Sequence, residues 1–479
     1  MLPDSSFVVK RRRRRFCRRE READDGSMIH VTDDGSNRRR RYGSSGSTTT
    51  TSSMVPPSWS ELEIQIGESY DAVRPISIDT AIQKPTSDPS IPPFSTQRPT
   101  LFRERHGWCP YSERAWLALE MEMEGNNNTT TYDTVRIDNT GGGPRPDYFT
   151  GQTPQIRWPE STKNQGESMD IVNRIDQRYN EGRWKHDDPT VCHVIAQFGT
   201  IFPRRARPSS RAAFLFQHNG EPLGRGTFER TLRETDDLLP QSQGGPYFVG
   251  DRFTAADMAW LPFLERYRYQ LPCLHAGLDP NDPCEYPYLA AWYKAVEELI
   301  PAYACRVKGD AASWRKVLSM AGFGNAGVPP QIDQNMVSLR DKELQEARDC
   351  IRNQDLWTRY AAERNHVADT PAAEAARIIT ANRRAIIADI VRQDNINTKW
   401  KKTADLPFDD TDEMDETLRE MVDCLLRNDG DGDSLTNASK RTVGSLAAFL
   451  DERMCVPRDM GCMSAATIKL LAWNLQTYN

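Results

Sequence analysis

The order of hydrophobic periods constrains this chain most. Over residues 98–183, short alternating runs interleave with helical ones in the order strand, helix, strand, loop, strand, strand, helix. The first strand is Thr100 to Arg103, and a helix follows from Glu113 to Met123 with Ala115, Leu119 and Met123 on one face. Tyr132 to Ile137 alternates as a strand, and Thr140-Gly141-Gly142-Gly143-Pro144 reads as a loop. Gln155 to Trp158 is a strand straight after Thr153-Pro154. Glu167-Ser168 then opens a helix with Ile171, Ile175 and Tyr179 inward. From 187 to 330 the period is helical throughout. An α/β domain over 98–183 followed by an all-α domain over 187–330 is the expected architecture.

Residues 335–479 add a helical extension of five amphipathic helices. They run from Leu339 to Asn365, from Thr370-Pro371 onward, and near Glu413–Arg427, Lys440–Met454 and Ser464–Leu475. Thr370 caps the second with proline at the first helical position, and Ile379, Ile386, Ile387, Ile390 and Val391 face inward. Asp429-Gly430-Asp431-Gly432-Asp433 looks like a calcium loop. Its register fails, because Ser434 stands where the turn glycine belongs and Lys440 where a bidentate glutamate belongs. It reads as an acidic turn between helices, and no metal is expected.

Residues 1–97 read as a disordered, basic, Ser/Thr-rich region with a Pro-punctuated linker. Residues 1–45 hold 13 Lys/Arg and 7 Asp/Glu, so they carry +6 and the rest of the chain carries −12. An acidic body argues against a general nucleic-acid-binding role. The clusters Arg11 to Arg15 and Arg38 to Arg41 suit nuclear localisation or organelle targeting, although Asp24, Asp25, Asp33 and Asp34 do not fit a transit peptide. No apolar run reaches the ~18 residues of a membrane span. The ten cysteines include no Cys-x-x-Cys and no paired metal-ligand spacing, so reduced thiols are expected.

The chemistry concentrates in Arg105-His106-Gly107-Trp108-Cys109-Pro110-Tyr111-Ser112. Cys109 sits where a helix begins, with Pro110 suited to its first position. Free N–H groups at a helix start favour thiolate over thiol, so Cys109 is expected to titrate below a free cysteine and to act as a nucleophile. Ser112 replaces a second cysteine: there is no resolving thiol, only a hydroxyl able to hydrogen-bond the sulfur. Taken alone, a small buried cysteine at a helix start fits this stretch as well.

Cys-Pro-x-Ser at a helix start, Thr-Pro before a strand and Glu-Ser before a helix, in this order, resemble the thioredoxin-like half of a glutathione S-transferase. The likeness is to the cysteine-type classes (omega, lambda, dehydroascorbate reductase) and to plant and algal transferase-like proteins. Gly250-Asp251-Arg252-Phe253-Thr254-Ala255-Ala256-Asp257 resembles the capping segment of that family's helical domain, where Thr254 and Asp257 form a capping box. The resemblance covers residues 98 to about 310. It implies Cys109 as the sulfur nucleophile and Thr153, held by a cis Pro154, as backbone partner of the cysteinyl part of glutathione. It implies Glu167 and Ser168 at the γ-glutamyl end, on the α-ammonium and α-carboxylate, with Ser112 beside the sulfur. Without the resemblance, the same residues read as a turn proline and a helix cap, Ser168 being a normal capping type.

The function expected is a glutathione-dependent thiol transferase or reductase working through a Cys109–glutathione mixed disulfide, by deglutathionylation or dehydroascorbate-type reduction. Its second substrate would be a disulfide or an electrophile, its compartment cytoplasm or plastid (or nucleus, through the Arg clusters), and its assembly a homodimer. Apolar residues of the helical domain, among them Phe214, Trp260 or Tyr267, would line the second site. The alternative is a non-catalytic binding or scaffold protein built on the same fold.

Overall fold

The computed structural model describes residues 56–67, 75–76, 94, 97–122, 132–139, 145–146, 148–203, 214–239, 244–326, 336–362, 364, 367–395, 408 and 410–476. The basic clusters, the loop 140–144 and the side chain of Leu339 lie outside them.

The described elements are, in order, α1 (Trp59–Ile66), β1 (Pro75–Ile76), β2 (Thr100–Glu104), α2 (Pro110–Glu122), β3 (Asp133–Ile137), β4 (Gln155–Arg157), β5 (Asn164–Gln165) and α3 (Ser168–Tyr179). The helical part continues with α4 (Pro189–Ile201), α5 (Arg225–Leu238), α6 (Ala255–Leu274), α7 (Pro287–Leu299), a π-helical turn (Tyr303–Val307) and α8 (Ala311–Ala326). The extension holds α9 (Met336–Arg352), α10 (Gln354–Ala361), α11 (Pro371–Asn395), α12 (Thr411–Leu426), α13 (Asn437–Arg453) and α14 (Cys462–Gln476).

The sheet runs β1-β3-β2-β4-β5. β3 is parallel to β1 and β2, with Thr100 opposite Asp133 and Glu104 opposite Ile137. β4 is antiparallel to β2, with Leu101 opposite Ile156, and β5 is antiparallel to β4. The parallel register puts the C-terminal end of β2, and the loop to α2, at one rim of the sheet. Leu101, Ile156 and Trp158 join Ala115 and Leu119 of α2, Ile171 and Ile175 of α3, and Trp260 and Trp292 of the helical part in one buried core.

Asp257 shows how a four-residue signal becomes a fold constraint. Its carboxylate accepts the backbone N–H of Thr254 (2.9 Å) and of Phe248 (3.1 Å) and the indole N–H of Trp292 (2.9 Å). It therefore caps α6 and also pins α7 and the loop at 248.

The extension has its own core of Leu418, Met421, Val443, Leu446 and Ile468, and Leu62 of α1 is buried in it. So residues 59–66, within the stretch 1–97 expected to be disordered, form a packed helix. α1 carries a capping box between Ser58 and Glu61, and the Trp59 indole donates to Asp415 of α12 at 2.8 Å. β1 adds a further strand at the sheet edge. The long helix expected from Leu339 to Asn365 is broken at Asn353, whose side chain accepts the Leu356 N–H and starts α10. Among the described residues, no helix is long and apolar enough to cross a membrane.

Candidate functional site

Glu104 ends β2 and shapes the turn into α2. Its buried carboxylate accepts the N–H of His106 (2.8 Å) and of Trp108 (2.7 Å), curling residues 105–109 into a tight loop. Gly107 takes φ +77° at the bend, a backbone region that suits glycine. His106 stacks on Trp108 with ring centroids 4.4 Å apart. The loop delivers Cys109 to the residue before Pro110, and the Cys109 carbonyl accepts the Glu113 N–H at 3.1 Å as α2 begins. The helix starts three residues earlier than the apolar period alone indicates.

The Cys109 sulfur lies 3.8 Å from the Thr153 carbonyl oxygen, to which the thiol donates. The Thr153–Pro154 peptide is cis, and the Thr153 hydroxyl accepts from the Asn139 side-chain amide at 2.7 Å. The Ser112 hydroxyl accepts the Glu104 N–H at 3.3 Å, and Ser112 acts to lower the Cys109 pKa. Cys109, Ser112, Thr153 and Pro154 thus come together at the sheet rim.

Glu167 and Ser168 stand at the start of α3. Glu167 is exposed with φ 57°, an uncommon backbone state for a residue with a Cβ. Its side chain makes no cap bond to α3. Ser168 is the first helical residue and is buried; its hydroxyl accepts from Arg114 Nη1 at 3.3 Å rather than capping the helix. Arg114, a residue of α2, also donates through Nε to the Ala259 carbonyl of α6 at 3.0 Å, and its guanidinium faces the rings of Phe263 and Tyr111 at 5.2 and 5.4 Å. Arg114 therefore ties the Cys109 helix, the Ser168 helix and α6 together. Neither Arg114 nor Glu104 carries a signal in the sequence, since both roles depend on partners that only the folded chain brings near.

The electrostatics correct one expectation. Cys109 is 4% exposed, and burial pushes its thiol above the ordinary cysteine range; the Ser112 hydrogen bonds act the other way, and the Glu104 charge adds to the rise. The helix start is present, but loss of water outweighs it. Glu104 itself is pushed up by burial and held back by the N–H groups of the loop.

The candidates for second-site lining also change. Trp260 and Tyr267 are fully buried in the helical core, and Phe214 packs on Phe198, Phe202 and Phe263. Tyr111, two residues after Cys109, stands edge-on to Phe263 at 5.5 Å. In the acidic turn, the Asp429 carboxylate accepts the N–H of Asp433 (2.9 Å) and Ser434 (2.8 Å). Among the described residues, no group of three or more His, Cys, Asp or Glu could hold a metal ion.

The extension returns to this loop. Cys455, Val456 and Pro457 lead into the cis Val456–Pro457 peptide. The Trp108 indole donates to the Cys455 sulfur at 3.4 Å. A Cβ on Gly107 would sit 3.4 Å from the Pro457 ring. Trp108, Tyr269, Trp314 and Cys455 form a small buried cluster of their own.

With this geometry in place, the comparisons bear on residues 202–295. Residues 202–295 match the family model described as glutathione S-transferase, C-terminal domain, so a domain of that kind is present in the chain. Among curated proteins, none matches. Solved structures similar to this chain include glutathione transferase Omega 3C from Trametes versicolor, at 15% identity, covering 53% of this chain and 93% of that one, TM-score 0.31. Omega 2C from the same organism aligns at 20% identity over 51% of this chain and 98% of that one, TM-score 0.30. The trimeric glutathione transferase TDR1 from Leishmania aligns at 15% identity over 74% of this chain and 86% of that one, TM-score 0.35.

Proposed function

We propose that the chain is a glutathione-dependent thiol transferase of the cysteine type, with Cys109 as nucleophile. The observation that carries this is the Cys109 sulfur at the start of α2, 3.8 Å from the Thr153 carbonyl beside Pro154. The glutathione S-transferase C-terminal domain over 202–295 supports a glutathione-related activity. In this reading the Thr153 backbone holds the cysteinyl part of glutathione, Glu167 accepts from its α-ammonium, and Ser168 with the α3 N–H groups meets its α-carboxylate. Cys109 attacks the glutathione sulfur of a mixed disulfide; the S–S bond breaks and the other thiol leaves. A second glutathione thiolate then attacks the Cys109–glutathione disulfide, giving glutathione disulfide and free Cys109. With Ser112 in place of a resolving cysteine, the route stays monothiol, and dehydroascorbate reduction obeys the same logic.

A second reading, a binding or scaffold protein on this fold, is favoured by two facts. The Cys109 thiol is buried with its pKa raised, and residues 455–457 cover the neighbouring Gly107 and Trp108. Incubation with glutathione disulfide followed by mass spectrometry separates the two. The transferase predicts an adduct on Cys109 and turnover of a glutathionylated peptide, abolished in Cys109→Ser. Glu167→Gln should raise KM about ten- to hundred-fold with kcat nearly unchanged, as expected for a charge-assisted contact made equally in ground and transition states. No Cys109 adduct and no turnover of the glutathionylated peptide would favour the scaffold.

A further inference from the structure

Two thiols outside the Cys109 site face each other across the extension. Cys350, near the end of α9, and Cys462, the first residue of α14, have their sulfurs 4.0 Å apart although 112 residues separate them. Cys462 is buried and Cys350 is partly exposed, at the seam where the extension's core meets a smaller cluster of Cys305, Trp357 and Met463. The Cys462 position is tightly set. A Cβ on the preceding Gly461 would fall 1.8 Å from the Cys305 carbonyl oxygen, so only glycine lets the chain pass there and enter α14.

We propose that Cys350 and Cys462 are a thiol–disulfide exchange site that a low-molecular-weight disulfide closes into an intrachain bond. The sulfurs need to approach by only about 2 Å to reach the S–S bond length. Their exposures set the order of events. Cys350, reachable from solvent, attacks the small disulfide, forms a mixed disulfide and releases one thiolate. Cys462 then loses its proton to that thiolate and attacks the Cys350 sulfur, displacing the second small thiol. In sum, two cysteine thiols are oxidised to one disulfide, and one small disulfide is reduced to two thiols. Contact with Cys350 and burial hold the Cys462 thiol well above the ordinary range, which suits a group that acts second. The N–H groups at the start of α14 stabilise its charge as it does so. The bond would clamp α9 to the residue after the 455–461 segment, which lies against Gly107 and Trp108.

The site is independent of Cys109, and the test keeps the two apart. The reduced full chain is incubated with excess glutathione disulfide, its remaining thiols are blocked with N-ethylmaleimide, and it is mapped by non-reducing peptide mass spectrometry. The expected product is a peptide pair joined through Cys350 and Cys462, formed equally in Cys109→Ser. In Cys462→Ser, Cys350 should instead keep a stable glutathione adduct. The proposal is overturned if both cysteines of the wild-type chain carry N-ethylmaleimide after oxidation, or if Cys350 stops at the glutathione adduct while Cys462 stays free. The wild-type result decides the question even if a variant folds poorly.

Discussion

Glu297 of α7 offers a quantitative test of how the helical part is held to the extension. Its carboxylate pairs with Arg268 of α6 at 2.8 Å and with Lys308. Lys308 in turn approaches Glu346 of α9 at 3.8 Å, and the Tyr269 hydroxyl donates to Glu346 at 2.7 Å. Burial alone would raise the Glu297 pKa, but the two cations outweigh it and bring it from 4.5 to about 2. A carboxyl whose folded pKa is depressed stabilises the fold above its unfolded pKa, and that contribution is lost as pH falls toward the folded value. The shift corresponds to about 3 kcal/mol at neutral pH, of which about 2 kcal/mol disappears between pH 6 and pH 3. Glu297→Gln leaves the buried Lys308 and the partly buried Arg268 without their shared partner, at a cost of about 3 kcal/mol at pH 6. Urea unfolding of both chains at pH 6 and pH 3 measures this directly. The wild type should lose about 2 kcal/mol more than the variant over that interval. Parallel pH profiles, or a variant within about 0.5 kcal/mol of wild type at pH 6, would refute the network as drawn.

Three further outcomes are expected. Alkylation of Cys109 with iodoacetamide should show a midpoint above the free-thiol value of roughly 8.5; a midpoint below it would mean that burial does not dominate. Removing residues 1–55 should leave the melting temperature unchanged, whereas removal up to residue 94 should lower it, because α1 goes with Leu62 and the Trp59–Asp415 bond, together worth about 3 kcal/mol; equal melting of the two truncated chains would contradict this. Asp257→Ala should destabilise by about 3–5 kcal/mol, since it strands the Phe248 N–H and the Trp292 indole N–H as well as the cap; a calorimetric loss under 1 kcal/mol would argue that Asp257 is only a local cap.

The parts legible in the sequence are those that short-range patterns determine. Thr254 and Asp257 mark the start of α6, a short β-like run marks β2 and alternation marks β3, and Ile171 and Ile175 mark the inner face of α3. The turn chemistry around Cys109 and Thr153-Pro154 is legible as well, because proline and the helix start act locally. β1 is not: two residues hold no period, and β3 supplies its partners. α1 escapes a local reading because its apolar face is completed by helices more than 300 positions later, as the Trp59–Asp415 bond shows. The break at Asn353 hides in a continuous helical pattern, since a single capping side chain makes it. The Cys109 titration misleads for a comparable reason. A helix start is visible in sequence, whereas the burial and the Glu104 carboxylate that oppose it arise only once the loop is folded.

The Trp108–Cys455 contact has a consequence for biosynthesis. The indole and its sulfur partner are 347 residues apart. At ~5–20 residues per second, a ribosome completes Trp108 roughly 20–70 s before it adds Cys455. During that interval the sheet, α2 and the helical domain can assemble while Gly107 and Trp108 still lack their final neighbours. The loop beside Cys109 is therefore among the last places in the chain to reach its finished form. A ribosome that stops before residue 455 would release a chain in which that loop is uncovered.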